Sequence, residues 1–154
     1  MSRKNLVAFI RYRIRTCITW IWLQEGTPGQ RARGIAAGVF SGCLPLFGLQ
    51  SLIGLAIAKI LRGNSLLAVG STLISNPITY LPIYWFNYII GCFLMRKEHL
   101  IKEFYPINLS TIINQGWEIC SKLIVGSIFV GVIAGGISGG ITYKLIKIYL
   151  RKKT

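Results

Sequence analysis

Charge is absent from three stretches of this chain. Residues 34–58, 63–95 and 123–143 form runs of 25, 33 and 21 residues without Asp, Glu, Lys or Arg. A helix needs about 20 apolar residues to cross a hydrocarbon core ~30 Å thick, and each run is at least that long. Helices of a soluble domain carry charge along their outer faces. The pattern therefore predicts an all-α integral membrane fold.

The first two runs do not read as plain spans. Glu25-Gly26-Thr27-Pro28-Gly29 is a turn signal, with Thr27 placed to cap a helix and Pro28 to open it. A helix rich in Gly, Ala and Ser then covers residues 30–42 and stops at Cys43-Leu44-Pro45-Leu46-Phe47-Gly48. Pro45 removes a helix hydrogen bond and clashes with the preceding turn, and Gly48 permits a reversal. A second short helix spans about 49–61 and ends at Arg62-Gly63-Asn64. The plan repeats: residues 65–74 are helical, Ser75-Asn76-Pro77-Ile78-Thr79-Tyr80-Leu81-Pro82 breaks them, and a helix follows through Trp85 and Tyr88 to Met95. Laying Pro45 over Pro77 also lays Gly38 over Gly70, an offset of 32 residues, which is the pattern of a tandem repeat. Each half-helix has about 9–14 residues, or ~14–21 Å, too short to cross alone. The expected architecture is two proline-broken helical hairpins, re-entrant or kinked. Broken backbone at membrane depth must be covered by protein or line a polar cavity, so the two loops are expected to meet in the interior.

The last run is long enough to span. In it Ser127, Gly131, Gly135 and Gly139 recur every fourth residue, and Gly136 and Gly140 repeat the interval. Small residues at that spacing let helix backbones approach closely. At the other end, residues 5–23 place Ile10, Ile14, Cys17 and Ile21 on one stripe and Lys4, Arg11 and Arg15 on another, with Trp20 and Trp22 at the end. This is the pattern of an interfacial amphipathic helix. The chain thus divides into a basic N-terminal helix (1–27), the broken repeat (28–95), an exposed polar connector (96–122) and a transmembrane helix with a basic tail (123–154), all in one membrane domain.

Charge changes the picture next. The net charge is +14, which raises nucleic-acid binding as a possibility. The basic residues instead cluster at the two chain ends and otherwise punctuate the apolar runs, as segments flanked by anionic lipid headgroups do. The expected partner is such a bilayer, together with a second copy or another membrane protein, and no nucleic acid. Seven basic groups against one acid in residues 1–33, and five against none after Tyr143, favour both termini inside, at the cytoplasmic face. One topology satisfies this: the first broken segment re-entrant, the second crossing, the last crossing back. The repeat argues the other way, because duplicated segments should behave alike.

Candidate chemistry is sparse. Cys17, Cys43, Cys92 and Cys120 are far apart and read as packing residues. His99 reads as a solvated residue. With no Asp, and no carboxylate in any run, the sequence calls for no metal and no cofactor, and enzyme chemistry is not expected. The polar groups inside the runs include Ser41, Gln50, Ser51, Ser71, Thr72, Ser75, Asn76, Thr79 and Asn87. Residues beside the breaks form the candidate pocket: Pro45, Gly48, Gln50, Asn64, Asn76, Pro77, Thr79 and Pro82. Two functions fit. One is transport or lipid handling through a site between the broken segments. The other is a non-catalytic membrane scaffold or partner subunit, joined through the glycine-rich helix.

A set of these residues resembles a bacterial family known only as domain of unknown function 2062. The matching pattern is Pro28, Ala36-Ala37-Gly38, Phe40, Pro45-Leu46-Phe47-Gly48-Leu49-Gln50, Arg62-Gly63-Asn64, and Ser75-Asn76-Pro77-Ile78-Thr79 with Pro82, Tyr84 and Gly91. It covers roughly residues 20–145. The resemblance implies a membrane location, and the expected placement is a multi-pass protein of the bacterial inner membrane with its N-terminus cytoplasmic. Members look like stand-alone small proteins or appendages of envelope glycosyltransferases. This short, Asp-free chain departs from the fused forms, and no transferase activity carries over.

Overall fold

The computed structural model describes Thr19 and residues 24–46, 48–76, 78–96 and 109–153, with the side chains of the last helix covered from 116 to 151. The expected amphipathic helix over residues 5–23, apart from Thr19, lies outside them, as do Phe47, Pro77 and residues 97–108. Among the described residues every regular element is helical. These are α1 (Pro28–Cys43), α2 (Gln50–Ile60), α3 (Ser65–Ser71, extended by a 3-10 turn Thr72–Ile74), α4 (Tyr80–Leu94) and α5 (Leu109–Lys153).

Local chemistry sets most of the boundaries. The Thr27 hydroxyl accepts from the Gln30 backbone N–H at 3.2 Å, and Gln30 Oε1 accepts from the Thr27 N–H at 2.8 Å. This reciprocal box satisfies two donors of the first turn, with Pro28 as the opening helical residue. The residue before a proline is held away from helical geometry, and Leu44 is extended, with ψ at 141°. Gly48 then turns through φ +79°, a conformation open to residues without a Cβ. Asn64 caps α3 by accepting from the Leu67 N–H at 2.9 Å. Pro82, which the sequence placed among the breaks, sits in the first turn of α4. Its missing N–H is one of the four that no helix pairs internally, so it does not break α4. Residues 109–122, expected as connector, belong to α5, since they hold one glycine and no proline.

The packing centres on α1. Helix α2 runs back along it: a Cβ on Gly54 would lie 2.6 Å from Ser41 Oγ and 3.5 Å from Gly38 Cα, and Ala58 packs with Ala37 and Ala68. Helix α3 runs forward again on a neighbouring face. The Asn64 N–H donates to Gln30 O at 2.8 Å, the Gly34 and Gly38 backbones press on the carbonyls of Asn64 and Ala68, and Gly42 meets Ile74 and Ser75. Glycines at i, i+4 and i+8 are what let α3 lie this close. Helix α5 runs antiparallel to α1, with Gly131 against Phe40, Gly135 against the Ala36 carbonyl and Gly139 against Ala36 and Ala32. Earlier in α5, Gly126 meets the Asn87 carbonyl, and Gly91 of α4 meets that of Lys122. So α1 and α4 lie one after the other along α5, in the same direction.

The two breaks therefore do different things. The first turns the chain back on itself, whereas the second sends α4 onward to pack on α5. The 32-residue correspondence does not extend to the path of the chain.

Close approach predicts an ordering of glycine variants. An added methyl at Gly38 would overlap the Ala68 carbonyl and lie 2.7 Å from Ser71 Cβ, whereas nothing lies within 4 Å of one at Gly136. Gly38→Ala is expected to lower stability by about 1–3 kcal/mol and Gly136→Ala to change it by no more than about 0.5 kcal/mol. Thermal unfolding of the purified protein in detergent checks the ordering, and equal melting shifts would refute the packing described.

Candidate functional site

A helix leaves the carbonyls of its last turn without internal partners. In α1 they belong to Gly42 and Cys43, followed by Leu44 of the break, all buried. Side chains from other elements close them. Gln50, at the start of α2 and 5% exposed, donates from Nε2 to Leu44 O at 2.6 Å and lies 3.0 Å from Tyr84 Oη. Its 3.5 Å approach to Gly42 O is secondary, since an amide nitrogen carries two protons. The Tyr84 hydroxyl donates to Leu44 O at 3.2 Å. Gln50 Oε1 accepts from Ser75 Oγ at 3.0 Å, tying the end of α3 into the same cluster. The amide orientation follows from these partners, with its nitrogen toward carbonyls and its oxygen toward a hydroxyl.

Asn87 completes the junction from α4. Its Nδ2 donates to Cys43 O at 2.9 Å and to Ser127 Oγ of α5 at 3.0 Å. Both protons are used, and Oδ1 is buried with no hydrogen-bond partner among the described residues. A buried carbonyl oxygen without a donor costs about 1–3 kcal/mol, so Asn87 presents an open acceptor inside the protein. One turn away, Thr72 donates to Val69 O at 2.7 Å. Its proton is thereby used, so Ser51 is the donor in the 3.1 Å contact with Thr72 Oγ1.

The second break is closed by its own side chains. Asn76 Oδ1 accepts from the Ile78 and Thr79 N–H groups at 3.0 and 3.1 Å. Thr79 Oγ1 accepts from the Asn76 N–H at 2.8 Å and donates to Ile74 O at 2.8 Å. This local closure leaves Asn76 exposed and out of the Gln50 cluster. Of the sequence candidates, then, Gln50 and Ser127 belong to the buried junction and Pro45 sets the geometry that creates it. Gly48 supplies the reversal. Pro77 lies outside the described residues. Asn64 sits at the far end of α1, where its Nδ2 donates to Glu25 O at 2.8 Å. Gly131, Gly135 and Gly139 line the α1–α5 contact.

Tyr84 and Asn87 were not among the candidate pocket residues. The available signal was their spacing: Tyr84, Asn87, Tyr88 and Gly91 fall on one face of a helix at intervals of three or four. Lys122 was assigned to the connector, and it is 1% exposed and paired with Glu118 at 3.1 Å.

Charge divides the molecule by ends. The end where α1 begins also carries the end of α2 and the last turns of α5, gathering Arg31, Arg33, Lys59, Arg62, Lys144 and Lys147, with Glu25 the described acid there. Arg33 Nη2 donates to the Arg62 carbonyl at 3.2 Å, and Arg62 holds φ +52°. The opposite end carries Arg96, Glu118 and Lys122.

A family model described as an uncharacterised protein conserved in bacteria, domain of unknown function 2062, matches residues 11–154. The chain belongs to this family. No curated protein matches it, and no solved structure does.

The junction predicts unequal costs at the two breaks. Gln50→Leu removes one donor from the Leu44 carbonyl, which keeps Tyr84 Oη. It also removes one acceptor from the Ser75 hydroxyl, which keeps Thr72 O at 3.0 Å. With neither group fully orphaned, it is expected to destabilise by about 1–3 kcal/mol. Asn76→Ala, in an exposed turn, is expected to cost about 0.5–1.5 kcal/mol. Denaturant titration in mild detergent measures both, and an equal or reversed ranking would count against Gln50 as the central clamp.

Proposed function

We propose that this chain is a small, non-catalytic, multi-pass protein of the bacterial cytoplasmic membrane that transports or handles lipid or a small solute where its two broken segments meet. The supporting observation is a charge-free, apolar-faced interval between two charged ends, with both chain breaks inside it. Along α5 the interval runs over residues 123–143, ~32 Å of helix against a hydrocarbon core of ~30 Å. The helix is long and apolar enough to cross a membrane over Gly116–Arg151, with mean hydropathy 2.0 and 28% of its apolar window buried. The core helix of a soluble protein would be mostly buried. Ile78, Leu81 and Phe93 are 86, 80 and 78% exposed, an outward apolar surface that water does not tolerate at this extent.

In this placement α1 enters from the basic end, α2 returns to it, α3 and α4 together cross with a break between them, and α5 crosses back. The basic end is cytoplasmic. The junction lies nearer the level of Lys122 than that of Lys144. Asn87 Oδ1, buried and without a donor among the described residues, is its open acceptor, which a ligand bringing an N–H or O–H donor into the junction would satisfy. A second reading, a scaffold or partner subunit, draws on the closure of the other junction groups within the chain, which is what a purely architectural cluster needs.

Two measurements test the placement and the activity separately. The protein should resist alkaline carbonate extraction. Single cysteines introduced at Lys59 and Arg96 should react with an impermeant thiol reagent from the cytoplasmic and the opposite side respectively. Release by carbonate, or labelling of both from one side, overturns the placement. In liposomes, the wild type should expose fluorescent phospholipid to dithionite faster than empty vesicles do. Asn87→Leu should slow this at least about tenfold while melting as a folded protein, a loss of ~1.4 kcal/mol or more in the transition state. A folded wild type without such activity would favour the scaffold.

A further inference from the structure

Beside the α1–α5 contact runs an open groove. Gly131, Gly135 and Gly139 face α1, so the other glycine pair of α5, Gly136 and Gly140, points to the side and, among the described residues, meets nothing within 4 Å. Ala32 and Ala36 of α1 add little bulk opposite. The inner part of the groove, about 280 Å³, ends at Phe40 and is walled by Ile57 and Leu61 of α2. The outer part, about 450 Å³, continues past Ala36 and Gly136 to Arg33 and Tyr143. From Gly131 to Tyr143 the helix rises ~18 Å, close to the ~15 Å hydrocarbon depth of one leaflet. The groove is apolar along its length and changes character at its outer end. There Arg33 lines it, and Lys147 places its Nζ 5.8 Å from the centre of the Tyr143 ring. The described acid at this end is Glu25, so the mouth is strongly cationic.

We propose that this groove holds one acyl chain of an anionic phospholipid, with the lipid phosphate against Arg33 and Lys147. The proposal rests on the membrane placement above but goes beyond it, since the groove is separate from the Gln50–Asn87 junction. Three features select this occupant: a length matching one leaflet, a lining without polar groups until the mouth, and charge complementarity at the headgroup level. Arginine suits the phosphate because its planar fork presents two parallel donors. A partner helix would find no acid-specific complement deeper in the groove, whereas a lipid needs charge at one end alone.

The groove can be filled without disturbing the fold. A side chain at Gly136 starts in open space, and leucine is a better helix former than glycine. Gly116 likewise meets nothing within 4 Å but lies five turns away, outside the groove, and serves as control. Native mass spectrometry of the full chain in detergent, titrated with phosphatidylglycerol or with phosphatidylcholine of the same acyl chains, reads binding directly. The wild type should bind phosphatidylglycerol at least about fivefold more tightly, the preference one well-placed cation supplies. Gly136→Leu should reduce that binding at least fivefold and Gly116→Leu should leave it unchanged. Lys147→Gln, which keeps the Arg33–Arg62 contact, should weaken the headgroup preference while retaining phosphatidylcholine adducts. Equal binding of the two lipids by the wild type overturns the proposal, and so does full binding by Gly136→Leu. A wild-type dimer that Gly136→Leu splits, with lipid adducts unaffected, would assign the groove to a second copy instead. Failure of the membrane placement would show separately, as release by carbonate.

Discussion

The end of α1 is the constraint on which the rest of this structure turns. Pro45 forces Leu44 out of helical geometry and leaves three successive carbonyls, Gly42, Cys43 and Leu44, buried without helical partners. In water such groups would be solvated. In the interior each is worth about 1–3 kcal/mol if left open, and in a bilayer several kcal/mol. Their closure calls on every other element. Gln50 comes from α2, Ser75 from the end of α3 through Gln50, Tyr84 and Asn87 from α4, and Ser127 from α5 through Asn87. One chain break therefore fixes the relative positions of four helices.

Close backbone contact supplies what the junction does not. The short helices α2 and α3 offer few large buried side chains, and lipid tails would give no hydrophobic drive to pair them. The contacts instead use glycine where carbonyls approach. Gly34 and Gly38 admit α3, Gly54 lies beside Ser41, and Gly91 and Gly126 let α4 and α5 cross at the Lys122 and Asn87 carbonyls. Dispersion grows with such proximity, which is why residues without side chains can hold the bundle together. The face that remains open, at Gly136 and Gly140, is the same chemistry left unpartnered by the chain itself.

Much of this was legible in the sequence, though not evenly. The helix boundaries at Thr27, Pro45 and Asn64 follow from side chains within four residues, so capping and proline rules reach them. The four-residue spacing of Ser127, Gly131, Gly135 and Gly139 marked a packing face without naming what it packs on. Pro82 misled, because a proline in the first helical turn and a proline in a break look alike until the helix start is known. Asn76 and Gln50 looked equivalent beside their prolines. They differ because Thr79 follows Asn76 at the distance that closes a turn locally, while nothing near Gln50 does the same. Asn87 and Tyr84 could not be singled out, since their partners are 34 or more residues away.

The same difference explains why two similar sequences take different paths. After Pro45 the loop has no side chain that can satisfy its carbonyls locally. The chain is stable only if Gln50 swings back over them, and this folds α2 against α1. After Ile74 the Asn76 and Thr79 side chains finish the turn by themselves, so nothing draws α4 back toward α3. It is free to continue onto α5, where Gly91 and Gly126 allow contact and where Asn87 reaches the open Cys43 carbonyl. The reversal at the first break thus creates the demand that the onward path at the second break meets. A pair of identical breaks would leave either two unclosed helix ends or two hairpins with no element to join them.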